Sequence, residues 1–318
     1  MNMRNRILII SAAVLLAAGC GERKAERFQA LPFPDVALPG MLTDAQDRAG
    51  YMAEHYWDAF ADTSRTYPCD SLLVSGVRKE DVEQRFADWL SVLDMVGLSD
   101  AQKAVARLFD RAASCEAKDT ASNVLDTFAE LAEKYLYDPN SPFRNEDVYL
   151  PFVSRMASFK GISELQRGKY ARDARLCSLN QGGTVAADFR FMDASGRMHT
   201  LHGIKAEQTL LFFSNPGCEA CLEIINTLKG NPQISSMVAS GRLAVVNVYI
   251  DEDIAAWRDY MPVYPKEWYN GFDPDMVIRT DMLYSVRAIP SLYLLDAQKR
   301  VILKDAPEQK VFAALERM

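Results

Sequence analysis

Apolar positions recur with two different periods along this chain, and the period changes just past the middle. Over residues 43–168 the spacing is helical. Ala49, Met52, Ala53, Tyr56 and Phe60 fall on one stripe, and Val82, Phe86, Trp89, Leu90 and Leu93 on a second. Val105, Leu108, Phe109 and Ala112 form a third, Val124, Phe128, Leu131 and Tyr135 a fourth, and Val148, Phe152 and Met156 a fifth. Local signals punctuate the stripes. Thr43 reads as an N-cap, Gly97 ends the second helix, Ser99 with Gln102 reads as a capping box for the third, and Asn145 caps the fifth. Asp138-Pro139-Asn140-Ser141-Pro142 breaks the pattern. These positions predict an all-α domain over 43–168 and a linker over 169–182. The aromatic stripes read as its core.

Beyond residue 183 the runs become short, apolar and strand-like. Thr209-Leu210-Leu211-Phe212-Phe213 is followed by turn chemistry, Ser214-Asn215-Pro216-Gly217, and then by Cys218-Glu219-Ala220-Cys221. Leu222, Ile225 and Leu228 then recur at helical spacing. A Cys-x-x-Cys pair therefore sits where a strand gives way to a helix. Unpaired N–H groups and the dipole at a helix N-terminus favour negative charge, which populates the nucleophilic thiolate. Downstream, Ala288-Ile289-Pro290-Ser291 leads into Leu292-Tyr293-Leu294-Leu295-Asp296. Proline cannot donate to a sheet ladder, so its place at the start of a central strand predicts a bend with a cis bond at Pro290. Between Tyr249 and Ile289, Trp257, Tyr260 and Met261 fit an inward-packing helix. Tyr264-Pro265-Lys266-Glu267-Trp268 reads as an aromatic loop, either packed on the domain or forming a wall of a substrate groove, with packing the simpler reading.

Composition narrows the function classes. The 318 residues are 49% hydrophobic and 25% charged, with a net charge of −7, which argues against nucleic acid as a partner. Arg4 and Arg6 precede an apolar run over residues 7–18, too short for a comfortable membrane span, that ends in Leu16-Ala17-Ala18-Gly19-Cys20. This ending resembles a bacterial lipobox. The resemblance implies a signal peptide over 1–19, lipidation of Cys20, a tether over 20–42, and a bacterial cell envelope location facing the periplasm or exterior. Disulfides persist outside the cytoplasm, and Cys69, Cys115 and Cys177 remain once the motif and the lipid site are assigned. A very short turn between the second and third helices predicts that they run antiparallel. That places Cys115 near the start of the second helix, about ten residues past Cys69, and suggests a Cys69–Cys115 disulfide. Cys177 reads as an unpaired structural cysteine.

Strand, Cys-x-x-Cys, helix, then Ile-Pro and a strand is the order of a thioredoxin fold. The chain from about Gly183 onward resembles the TlpA/ResA-like thioredoxin family of the bacterial envelope. Gly183-Thr184-Val185-Ala186-Ala187-Asp188-Phe189, the Ser195-Gly196-Arg197 turn and the Val245-Val246-Asn247-Val248-Tyr249 strand also match. The resemblance implies an α/β thioredoxin-like domain over 183–318 in which Cys218 attacks and Cys221 resolves, with Ile289 and Pro290 along the substrate. Three positions depart from the family. Gly217 replaces the usual tryptophan, Ala220 the common proline, and Phe212 the buried acid of thioredoxin itself. The stretch Tyr135-Leu136-Tyr137-Asp138-Pro139-Asn140-Ser141-Pro142-Phe143-Arg144-Asn145-Glu146 resembles a helical domain of unknown function that precedes such domains in lipoproteins.

The function implied is a membrane-anchored thiol–disulfide oxidoreductase that reduces or reshuffles disulfides of exported proteins. It needs no metal and no organic cofactor, only the redox-active disulfide and a partner that recharges it. The charge of Glu219 opposes thiolate formation and tilts the couple towards reductant. A non-catalytic binding or scaffold lipoprotein on the same fold is the alternative, and the helical domain as a dock for a dedicated client is a third reading. A zinc site from His199, His202 and the two cysteines is disfavoured, because in the family that hairpin lies far from the motif. Non-reducing peptide mapping should recover Cys69 and Cys115 in one cross-linked peptide, and both emerging as free thiols would end that pairing.

Overall fold

The computed structural model describes residues 29–67 and 71–317. Cys20 and Cys69 lie outside the described residues, so neither the lipid site nor the Cys69 pairing falls within them.

Among the described residues, the first half builds six helices on one apolar cluster. They are α1 (Ala45–His55), α2 (Lys79–Leu93), α3 (Leu98–Lys118), α4 (Val124–Ala132), α5 (Glu146–Ser158) and α6 (Glu164–Cys177). A π-helical turn, Glu133–Tyr137, extends α4. The stripes read from the sequence all turn inward. Trp57, Phe60, Phe86, Trp89, Phe128 and Phe152 are buried in the shared core. Trp57 and Phe128 meet edge-to-face with ring centroids 4.7 Å apart. The buried indole N–H of Trp89 donates to the Ala53 carbonyl at 2.9 Å, so the ring's polar atom is satisfied.

Several local expectations change. Asp44, not Thr43, caps α1, accepting from the amides of Gln46 and Asp47. Gly97 precedes α3 without a side-chain cap, and Ser99 lies inside the helix. Gln102 has another task. Pro151 lies within α5 and has no N–H for the carbonyl of Asp147 four residues earlier. The Gln102 side chain donates to that carbonyl instead, at 2.9 Å. Helix α3 packs mainly on α1, α4 and α5 rather than forming an α2–α3 hairpin. A two-stranded ribbon, β1 (Leu73–Val74) and β2 (Val77–Arg78), interrupts the helices around a Ser75-Gly76 turn with positive φ at both residues. Residues 169–177, expected as linker, belong to α6. Ser163 and Gln166 form its capping box, but few of its side chains are buried, so its stripe is faint.

The second half is a seven-stranded mixed sheet flanked by helices, a thioredoxin-like α/β domain. Its strands are β3 (Arg190–Asp193), β4 (Met198–Thr200), β5 (Gln208–Phe213), β6 (Leu243–Tyr249), β7 (Tyr269–Phe272), β8 (Ser291–Asp296) and β9 (Val301–Leu303). The helices are α7 (Glu219–Gly230), α8 (Pro232–Ala239), α9 (Ile254–Tyr260), α10 (Val277–Thr280) and α11 (Glu308–Glu316). Strand order is β4-β3-β7-β6-β5-β8-β9. Central β5 runs parallel to β6 and antiparallel to β8. Covered on both faces, β5, β6 and β8 read as nearly continuous apolar runs. Alternation still sorts them. Leu210 and Phe212 face one core with Cys221, Ile225, Trp257 and Leu315, while Leu211 and Phe213 face the other with Phe189, Phe191, Tyr284 and Tyr293. The chain beyond Tyr249 supplies α9, with Trp257 fully buried, and β7. No helix among the described residues is long and apolar enough to cross a membrane.

Truncating Phe128 to alanine should cost the helical half about 3–5 kcal/mol, because the ring is fully enclosed. Urea denaturation checks this, and a loss near that of an exposed site would contradict the packing described.

Candidate active site

The chemistry gathers where β5 ends. Ser214 to Gly217 carry the chain off the sheet, and Cys218 becomes the N-cap of α7. Its Sγ accepts a hydrogen bond from the Cys221 amide at 3.2 Å. The two cysteines are disulfide-bonded, with Cα atoms 5.2 Å apart. Cys218 is partly exposed and Cys221 is buried at the helix's inner face. One sulfur is therefore open to solvent, and the other stands behind it against the core.

Strand β8 begins beside this turn, with Ser291 paired to Phe213 across the ladder. Residues 289 and 290 come immediately before it, and the Ile289–Pro290 peptide is cis. Ile289 packs against the same cluster as Cys218 and Cys221. The structure thus brings Cys218, Cys221, Ile289 and Pro290 to one end of the sheet. Cys115 is elsewhere, on the last turns of α3, with its thiol 3.7 Å from the Ala61 carbonyl. Cys177 ends α6, buried and unpaired, and burial pushes its thiol up. His199 and His202 face Asp193 and the Ala186 carbonyl respectively.

Two of the three positions that depart from the pattern the sequence resembles have structural correlates. Gly217 has φ +72°, a left-handed conformation, and no atom lies within 4 Å of where a Cβ would stand. The space is open, but the backbone disfavours any side chain there. Phe212 is fully buried on the Cys221 face. Asn215 in the turn donates to the Asp251 carboxylate at 2.6 Å, whereas the buried polar groups that link β5 to β6 and β7 are neutral. Ser214 Oγ donates to Asn247 Oδ1 at 2.5 Å, Asn247 Nδ2 donates to Asn270 Oδ1 at 3.0 Å, and Asn270 Nδ2 donates to the Pro265 carbonyl at 2.7 Å. Tyr264 Oη lies 3.5 Å from Ser214 Oγ. This chain of neutral groups ties β5, β6, β7 and the aromatic loop together beneath the cysteines. Cavities of about 540 and 710 Å³ flank residues 262–268, and neither cysteine lines them.

A charged cluster missed by the sequence reading lies on the other flank of Pro290. Arg287 Nε donates to Glu146 Oε1 at 2.8 Å, and Arg287 Nη2 lies 3.4 Å from Asp305 Oδ2. Lys304 Nζ lies 2.9 Å from Glu146 Oε2 and donates to the Cys177 carbonyl at 2.6 Å. Arg144 donates to the carbonyls of Asp305 and Ala306, and Ser291 Oγ donates to Asp305 Oδ1 at 2.7 Å. Only 1% of the Glu146 side chain is exposed. The available signal was the placing of Arg287 between Val286 and Ala288, and of Lys304-Asp305 between Leu303 and Ala306. Charges set in apolar runs need buried partners.

A thioredoxin-like α/β domain with vicinal cysteines at a helix N-cap, joined to a helical N-terminal domain, is the class these features define. A thioredoxin-like protein from Bacteroides caccae has a solved structure that matches 90% of this chain and 98% of its own, at 36% identity and a TM-score of 0.76. The C-terminal domain of an uncharacterized protein from Bacteroides fragilis is 46% identical over 43% of this chain and 98% of its own, with a TM-score of 0.42. A domain of a possible thiol-disulfide isomerase from Cytophaga hutchinsonii is 20% identical over 44% of this chain and 94% of its own, with a TM-score of 0.38. No curated protein matches the chain. Residues 17–180 match the family described as a domain of unknown function, DUF5106. The chain belongs to the DUF5106 family, and the match ends three residues past α6.

Burial and the charge of Glu146 push the Asp305 carboxyl up to about 6, against the pull of Ser291, Arg144 and Arg287. A raised acid binds its proton more tightly folded than unfolded. This group's effect is therefore neutral well below pH 4, and it costs stability progressively as pH rises from about 4 to about 6. Asp305→Asn should flatten that part of the stability–pH curve relative to wild type in urea titrations. Parallel curves for the two proteins would contradict the assignment.

Proposed function

We propose that this protein is a thiol–disulfide oxidoreductase acting on exported proteins, held to the bacterial envelope through a lipidated Cys20. The observation that carries the reading is the Cys218–Cys221 disulfide at the N-cap of α7, beside the Ile289–Pro290 peptide at the start of β8. In the reduced protein, the helix N-terminus and the Cys221 amide favour a thiolate at Cys218. That thiolate attacks one sulfur of a substrate disulfide. A mixed disulfide forms and the other substrate sulfur leaves as a thiolate. Cys221 then loses its proton and attacks Cys218 Sγ. The mixed bond breaks, the substrate leaves with both sulfurs reduced, and the Cys218–Cys221 disulfide forms.

Two electrons pass from the protein to the substrate in each cycle, so an external dithiol must return them. Run backwards, the same steps oxidise or reshuffle. Ile289 and Pro290 line the path of the substrate chain, and the glycine at 217 leaves that path wide. These steps use only the two sulfurs and need no metal or organic cofactor.

The test is a dithiothreitol or glutathione titration of the protein lacking its first 20 residues, read by mass spectrometry. The expected result is a reversible two-electron couple more reducing than about −200 mV, abolished by Cys218→Ser. A disulfide that resists reduction until the chain unfolds would replace this reading with that of a binding module.

A further inference from the structure

We propose that the helical domain positions the substrate-facing loop of the redox site. Glu146 holds Arg287, and Arg287 holds the approach to the Ile289–Pro290 peptide. The inference rests on the oxidoreductase reading above and deepens it.

Arg287 stands three residues before Pro290 and is fixed on every side. Its Nε donates to Glu146 and its Nη1 to the Tyr137 carbonyl, while Nη2 faces Asp305. Its guanidinium carbon lies 4.0 Å from the Tyr137 ring centroid. Tyr137 ends the π-helical turn, where helix geometry leaves a carbonyl without an intrahelical donor. Glu146 opens α5 next to its cap Asn145. Tyr137 and Glu146 both lie within the stretch 135–146, which the sequence singled out without giving it any chemistry.

The other flank of the proline is tied to the same place. Ser291 donates to Asp305, and the backbone carbonyl of Asp305 accepts from Arg144 at 2.8 Å. The loop is thus anchored three residues before Pro290 and one residue after it, and both anchors lead to residues 137–146. Apolar side chains of similar volume would dock two domains at least as well as buried charges do. What a planar guanidinium adds is direction, because its donors bind in fixed geometry. That direction is spent on the loop beside Cys218. Arg287 is a positioning residue, since it acts on the substrate path through the loop and not on the reacting sulfurs.

Two variants of the full chain test this. Glu146→Gln keeps an acceptor but removes the charge, and Arg287→Lys keeps the charge but loses the fork and the stacked plane. Each is assayed with a peptide carrying an internal disulfide, which must lie along the loop, and with dithiodipyridine, which need not. The KM for the peptide should rise roughly 10-fold, while the rate with dithiodipyridine and the reduction potential stay at wild-type values. Hydrogen exchange should quicken at the amides of residues 285–289 and 291. Unchanged exchange, or equal losses with both probes together with a shifted potential, would overturn the proposal. If wild type shows no reversible couple, the oxidoreductase reading falls by itself. The exchange measurement then still decides the clamp, faster exchange supporting it and unchanged exchange overturning it.

Discussion

A carboxylate taken out of water must be met by cations, and the placement of Glu146 follows from that constraint. Its two oxygens face Arg287 and Lys304, both from the α/β half of the chain. Neither half carries this arrangement alone. Without the sheet domain Glu146 would lose both cations, and without α5 Arg287 and Lys304 would lose their shared carboxylate. Removing one partner of such a pair typically costs 3–5 kcal/mol. The docking of the halves is therefore selective in geometry even where it adds little net stability. Asp147 extends the same logic, receiving the Gly182 amide at 2.8 Å where the chain passes from one half to the other.

Inside the α/β half, β5 sets the remaining geometry. Its alternation supplies both cores, its C-terminal end launches the cysteines, and its antiparallel partner β8 brings the proline back to the same edge. The site thus sits where strands from distant parts of the chain converge. Beneath it the neutral chain Ser214–Asn247–Asn270 fills a region where ionised groups would demand counter-ions.

What was legible in the sequence was local. The five apolar stripes became helices because each buries a face wide enough to be read at period 3.6. The cysteine pair and the Ile-Pro were legible because their chemistry depends on spacings of two or three residues. The missed elements were specified from a distance. Helix α6 buries little beyond Tyr170, Asp173, Leu176 and Cys177, so its pattern is dominated by solvent-facing residues. Strand β7 contains Asn270-Gly271, which reads as a turn. Tertiary packing decides otherwise, since a Cβ at 271 would lie 2.6 Å from the Phe191 ring and Asn270 is satisfied by Asn247 and Pro265. The Arg287–Glu146 pair spans 141 residues, and no local pattern could announce it.

Gly217 has a consequence for the paths open to mutation. Its φ of +72° is a left-handed conformation that residues with a Cβ rarely adopt. A single codon change to a bulky residue would meet open space yet incur backbone strain. The open space at residue 217 is therefore written into the main chain as well as into the missing side chain, and is hard to fill by one substitution.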